Sequence, residues 1–307
     1  MAARNNRDDG SADNPHDVVG NGPAEPRDGD ISAGNGMLRA WIASWGALAI
    51  DVFCQVGNMS LFVGRTFAWM LTRLPKAETI LPNFYEVGVK SLPVVALTGT
   101  FIGMVLAVQS YFQFRQMGLE SRLGAVINMS LVRELGPVLA ATMLAGRVGS
   151  AMAAQLGTMR VTEQIDALDS MGANPIYYLV VPRFLACLVL IPTLTVMADF
   201  MGVVGGYLFS VYRFEIDRHF YWYNSAQYVG AWDFFGGIFK SFFFGGAIAL
   251  VSCYRGFHCR PGAEGVGEAA TSAFVHSFVL ILVSDLFLSM GLDAFHDALW
   301  SGSAKIF

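Results

Sequence analysis

Residues 131–150 read LVRELGPVLAATMLAGRVGS, an apolar run that carries Arg133, Glu134 and Arg147. A charge held near the centre of a lipid bilayer costs at least ~2.5–3.5 kcal/mol unless it is paired or wetted. Two further apolar runs carry single charges, Lys240 within 234–254 and Asp285 within 269–292. Acids and bases on separate apolar segments admit two readings. They lock helices together as salt bridges, or they line a polar cavity that handles a charged or zwitterionic headgroup. Neither requires covalent chemistry, and the weight falls on the elements that place these residues.

The composition makes those elements membrane helices. Of 307 residues, 54% are hydrophobic and 14% charged, against about 25% charged in soluble domains, and the mean hydropathy is +0.47. The net charge of −4 is uneven, because residues 1–36 hold seven acids against three Arg and the remainder is balanced. No basic surplus marks a nucleic-acid binder. Rich in Asn, Asp, Gly and Pro, residues 1–36 read as a disordered acidic tail, without the basic and apolar regions of a signal peptide. Cys54, Cys187, Cys253 and Cys259 lack C-x-x-C spacing and read as small apolar residues.

The expected fold is an all-α integral membrane protein with five transmembrane helices, preceded by an interfacial region at 37–84. Within that region, residues 37–75 mix apolar residues with Trp41, Trp45, Trp69 and spaced Arg, as suits an amphipathic helix in the headgroup plane. The five spans, in a domain taken as 85–307, are placed at 91–114, 131–159, 184–212, 234–254 and 269–292, with Pro192 as a kink in the third. Only the first is free of charge, and a spanning helix needs ~20 residues. Basic residues concentrate in 39–90, 160–183 and 255–260, which sets the N-terminus in the cytoplasm and the C-terminus outside. Rows of small residues, Gly99–Gly103, Gly202–Gly206 and Ala145–Gly149–Ala153, permit close helix approach, either within one bundle or between two copies.

With alternating helix direction, Glu134, Lys240 and Asp285 all fall within roughly 10 Å of the outer boundary at 1.5 Å rise per residue. Arg147 sits about 20 Å deeper on nearly the opposite face, near enough to the inner end to snorkel. Asp199 and His276 are balanced between structural and functional roles.

On the cytoplasmic side, VTEQIDALDSMGANP predicts a short helix capped by Thr162, with acids in its first turn and Gly172 and Pro175 ending it. Ile165, Leu168 and Met171 share a face that suits either lipid or a partner's groove. No G-x-x-x-x-G-K-[ST] motif is present, so ATP hydrolysis is not expected of this chain. GAEGVGE at 262–268 follows no strand, and the five His form no pair at ligand spacing, so no metal site is expected.

LVRELGPVLAATMLAGRVGSAMAAQLGTMRVTEQIDAL resembles the signature region of MlaE/YrbE-type permeases, the membrane subunits of ABC transporters that work with MCE-domain lipid-binding proteins. The likeness continues through GTFIGMVLAVQ (99–109), PRFLACLVLIPTLTV (182–196), IFKSFFFG (238–245) and TSAFVHSFVLILVSDLFL (271–288), in order over roughly 85–292. It implies a homodimeric five-span permease in a bacterial inner membrane, with two cytoplasmic ATPase subunits that bind ATP and Mg and an MCE hexamer outside. It implies phospholipid or a related lipid as cargo, and a part in outer-membrane lipid asymmetry. No cofactor is expected on this chain itself. Arg133, Glu134, Lys240 and Asp285 correspond to the family's lipid-pocket residues, and Arg147 is carried with them as a transport candidate. Glu163, Gln164, Ile165, Asp166 and Leu168 fall on the family's coupling helix, which favours docking to the ATPase. A longer acidic tail, an unusually aromatic outer loop at 213–233 and the 254–268 loop depart from the family pattern. Outside that resemblance, a proton-coupled secondary transporter using Glu134 and Asp285, or a structural subunit of a membrane complex, also fits these residues.

Overall fold

A computed structural model describes residues 29–72 and 75–300. The first 28 residues of the stretch read as an acidic tail, and residues 301–307, lie outside the described residues. Helix α1 (Gly29–Thr72) takes in residues 29–36 of that stretch as helical backbone. The chain divides within α1, after Val56, into two compact units. In the first, Trp41 and Phe53 are exposed. The second begins at Gly57 and holds the rest of the chain. There Phe62 packs edge-on against Tyr254 and Phe257, and Phe67 against Phe184.

The remaining helices are α2 (Ala77–Phe84), α3 (Leu92–Gln116), α4 (Leu123–Ser130), α5 (Gly136–Leu144), α6 (Ser150–Val161), α7 (Gln164–Ser170), α8 (Val181–Tyr212), α9 (Arg218–Tyr228), α10 (Ala231–Phe257) and α11 (Ala263–Trp300). Among the described residues, five helical stretches are long and apolar enough to cross a membrane: Ala77–Gln116, Leu123–Val161, Ile176–Tyr212, Ala231–Phe257 and Ala263–Ala298. The five expected spans are all present, and each is longer than expected.

At the first span Glu86 and Lys90 precede the charge-free run at 91–114, and the helical stretch continues through them. Residues 77–84, read from the sequence as the end of the interfacial region, are helical and belong to the stretch Ala77–Gln116 that is long and apolar enough to cross a membrane. Glu86 there pairs with Lys90 one turn on, at 3.7 Å, and accepts a hydrogen bond from Gln155. The second span starts at Leu123, so Glu134 is not a few residues from the helix end but eleven, roughly 16 Å by helical rise. α8 continues through Pro192 as one helix.

Wide π turns join several of these helices, at Tyr85–Val89, Leu131–Leu135, Ala145–Gly149 and Ile176–Val180. Each inserts a residue into the α-helical count and so rotates the helix on its C-terminal side. Two of them hold the charged motifs, LVREL and AGRVG.

The glycine rows serve packing within the chain. A Cβ at Gly103 would overlap the backbone carbonyl of Gly202, and one at Gly205 would overlap that of Thr100. One at Gly99 would stand 2.6 Å from the carbonyl oxygen of Ala198. α3 and α8 therefore lie backbone against backbone, an approach that only hydrogen side chains permit. Gly149 and Ala153 face α10 instead, with a Cβ at Gly149 meeting Ser252 Oγ at 2.9 Å.

The loop 213–233, expected on the outer side, contains α9, started by Asp217, whose side chain accepts from the His219 amide. Tyr221 is fully buried against α4 and donates to Asn128 Oδ1 at 3.3 Å, while Asn128 Nδ2 donates to Ser225 Oγ at 2.9 Å. Burial pushes the Tyr221 phenol up to about 12, partly offset by the Asn128 hydrogen bond, so it remains a neutral donor. Gly124 leaves room for this ring, since a Cβ there would meet it at 2.7 Å.

Candidate lipid-handling site

Lys240 organises the site. Its side chain is 3% exposed, and its Nζ donates to Glu134 Oε2 at 2.7 Å and to Ser289 Oγ at 2.7 Å. Asp285 Oδ1 stands 3.4 Å from the same ammonium. Ser289 in turn donates to Glu134 Oε2 at 3.3 Å. The three charges gathered by depth in the sequence are thus one cluster, Glu134 joined to Lys240 by a hydrogen bond and Asp285 by an ion pair.

Local sequence explains how Lys240 arrives there. A Cβ at Gly237 would meet the Val132 carbonyl oxygen at 2.6 Å, so glycine lets α10 lie close against the LVREL turn. Lys240 comes three residues later on that face of α10. Pro137, lacking an N–H, cannot donate to the Arg133 carbonyl four residues earlier. The Lys240 ammonium approaches this carbonyl at 3.4 Å.

Arg133 extends the cluster towards the surface. Its guanidinium pairs with Asp293, stands 3.9 Å from Asp233 Oδ1 and 4.0 Å from Glu134 Oε1. Two bases and four acids therefore form one chain of charge, from half-exposed Asp293 inward to buried Lys240. Removing one partner of a buried pair strands the other, which is strongly destabilising.

Ser289, Asp233 and Asp293 were missed from the sequence, although the helical spacing held a signal. Asp285, Ser289 and Asp293 recur every fourth residue on α11, and Asp233 precedes Lys240 by seven on α10. Asp233 also accepts from the Gly230 amide at the start of α10, which disguises it as a capping residue.

Space around the cluster is divided sharply. Among the charged residues a cavity of about 20 Å³ remains, enough for one water. Beside it opens an apolar groove of about 870 Å³, floored by Phe235, Phe239, Phe242 and Phe287. Trp232, Gly236 and Leu292 line both, so the polar cluster and the apolar groove are continuous. A charged patch joined to a long apolar trough matches an amphiphile.

Arg147 is not part of this cluster. It donates to Ser91 Oγ and lines a separate cavity with Glu86, Lys90 and Arg183. Asp199 also lies apart, buried against Gly136. His276 bonds Arg255 Nη2 through Nε2 at 2.8 Å. Cys187 and Cys253 are buried and free, while Cys54 is exposed and Cys259 partly so.

α7 occupies the place expected, with one correction at its start. The Thr162 hydroxyl donates back to the Thr158 carbonyl and does not cap α7; Glu163, in the left-handed conformation at φ 59°, makes the turn instead. The local back-bond within α6 outcompetes the forward one. At the other end Gly172, at φ +73°, closes a Schellman turn, with Ala173 N–H on Leu168 O and Gly172 N–H on Asp169 O. Ile165 is buried and Leu168 half-buried, but Met171 is 72% exposed and stands clear of the anchored face. Glu163, Gln164 and Asp166 are exposed, and Asp166 pairs with Arg160.

The model of the family described as Permease MlaE matches residues 80–291. A "Probable ABC transporter permease protein" of Rickettsia felis is 42% identical over 253 residues, covering 82% of this chain and 98% of that protein. The "Intermembrane phospholipid transport system permease protein MlaE" of Haemophilus influenzae is 32% identical over 256 residues, 82% of this chain and 97% of the relative. "Protein TRIGALACTOSYLDIACYLGLYCEROL 1, chloroplastic" of Arabidopsis thaliana is 40% identical over 209 residues, 68% of this chain and 60% of the relative. The matched region runs from the first span to the fifth and includes every residue of the Lys240 cluster except Asp293. The chain belongs to the MlaE permease family.

Proposed function

We propose that this chain is the non-hydrolytic permease subunit of an ABC transporter that moves phospholipid or a related lipid between the membrane and an MCE-domain partner. The energy comes from a separate cytoplasmic ATPase that binds ATP and Mg. The observation that carries this reading is the continuity of the Lys240 cluster with the apolar groove, which suits a headgroup on one side and acyl chains on the other. The Haemophilus relative's name, with its phospholipid transport system, supports the same cargo class.

In this conformation both bases of the cluster are engaged by its own carboxylates, which leaves room for little more than a water. Loading therefore exchanges partners. Half-exposed Arg133 turns from Asp293 and Asp233 to the headgroup phosphate, while Lys240 stays fixed by Glu134, Asp285 and Ser289. No covalent bond forms or breaks. α7, anchored by Ile165 and presenting Glu163, Gln164 and Asp166, docks on the ATPase on the cytoplasmic side, which also holds the N-terminus. α11 leaves Val275, Val279, Val283, Leu286 and Met290 exposed, and a second copy of the chain covers this face in a homodimer.

Two results test the reading. Gly236→Leu projects a side chain into the groove, where the nearest atom to its Cβ is Leu292 Cδ1 at 3.8 Å. Folding is expected to hold, since Gly to Leu adds helix propensity, while phospholipid co-purified with the chain falls several-fold by mass spectrometry. Undiminished lipid would remove the groove from the account. Charge reversal of Glu163 and Asp166 together is expected to weaken ATPase capture by about tenfold with an unchanged unfolding midpoint. Equal capture by quantitative pull-down from the native host would place the coupling contact elsewhere.

A further inference from the structure

A second polar chamber, of about 260 Å³, lies between the first three spans. Its polar lining is Asn83, Glu86, Lys90, Arg147, Gln155 and Arg183, three cations against one carboxylate. Glu86 is already engaged by Lys90 and by Gln155. Among the described residues no carboxylate lies within ion-pair distance of Arg147 or Arg183. Arg147 has Ser91 Oγ and Arg183 has the Leu179 carbonyl, both neutral acceptors. The buried Nε of Arg183 has no acceptor at all.

This contrasts with the Lys240 cluster, where acids outnumber bases. Arg147 lies fourteen residues after Arg133 on the second span, roughly 21 Å of helical rise, so the two sites occupy opposite halves of the helical bundle. Two guanidinium groups without counter-charge inside a bundle of spanning helices are expensive, and a planar guanidinium matches phosphate oxygens in pairs.

We propose that this chamber is a second anion site that binds a phosphate group through Arg147 and Arg183, with Lys90 at its edge. Lipid headgroup and free phosphate share that chemistry. Only the identity of the phosphate's carrier draws on the lipid-handling reading; the site itself stands on unpaired charge and space.

The test uses the full chain, delipidated in mild detergent and titrated under native mass spectrometry with short-chain phosphatidic acid or with inorganic phosphate. Wild type is expected to bind phosphatidic acid at two sites. Arg147→Gln with Arg183→Gln removes one of them, weakening it by roughly tenfold or more for each guanidinium lost. Lys240→Met removes the other. Loss in the first variant but not in Lys240→Met upholds the chamber and counts against the headgroup role of the Lys240 cluster. Competition by inorganic phosphate at matching concentration upholds the site and assigns it to a soluble anion, whereas its failure to compete assigns a lipid headgroup. Glu86→Gln, which keeps the hydrogen-bonding shape and deletes the one opposing charge, is expected to tighten this site. Two undiminished sites in the double Arg variant, or unchanged affinity in Glu86→Gln, would overturn the proposal.

Discussion

Lys240→Met is expected to abolish lipid transfer by the reconstituted transporter, at least tenfold below wild type, and to lower the stability of the chain by about 3 kcal/mol. Both effects come from what the ammonium holds. Glu134 Oε2 and Ser289 Oγ each stand 2.7 Å from it, and Asp285 stands 3.4 Å away. Methionine fills the volume but leaves two carboxylates of like sign facing each other in a partly buried setting. The stability loss is read from the unfolding midpoint in detergent. Transfer is measured at a temperature where both proteins are folded, so the two effects separate. Glu134→Gln combined with Asp285→Asn in the Lys240→Met background replaces the charges by neutral groups of similar shape. That triple variant is expected to recover stability but not transfer. Recovery of transfer as well would reduce the cluster to a structural clamp.

The second large effect concerns the α3–α8 contact. Gly103→Ala places a methyl against the backbone of Gly202 and Gly206, where no rotamer offers relief. The helices must separate, and overpacking of this kind costs typically ~1–3 kcal/mol. Gly267, inside α11, is the internal control, because a Cβ added there would have nothing within 4 Å. At that position the same change is expected to be neutral or stabilising by up to ~1 kcal/mol, the helix propensity difference. Opposite signs at the two glycines, read from paired unfolding midpoints, mark close packing. Equal behaviour would show that the two helices do not need this approach.

Much of the site was legible because charge in an apolar run is conspicuous and helical rise converts position into depth. Glu134, Lys240 and Asp285 were gathered on that basis alone, and the structure joins them. Arg147 was set apart by the same count, and it does lie in another cavity. What escaped was local geometry. Nothing in LVREL or AGRVG announces a π turn, yet the turn at Leu131–Leu135 carries both Arg133 and Glu134. Pro137 stands in the first turn of α5, inside a longer helical stack and beside the carbonyl that Lys240 approaches.

The full helix lengths were hidden for a related reason. Charges such as Glu86 and Lys90 looked like boundaries, because compensation by Gln155, sixty-nine positions from Glu86, is invisible along the chain. α7 shows the converse. Its glycine stop is a local signal and was read correctly, but its start depended on whether Thr162 bonds forward or back. A single hydroxyl with two available partners does not reveal that choice in sequence.

A lipid headgroup that engages the Lys240 cluster while its chains lie in the groove should be open to photocrosslinking. The most direct test places a photoreactive residue at position 239 in the groove and another at position 97, an exposed site on α3. Phospholipid adducts are expected at both positions in wild type, and Lys240→Met is expected to abolish the adduct at 239 while leaving that at 97 intact. Adducts at 239 that persist in Lys240→Met at the wild-type level would contradict the account.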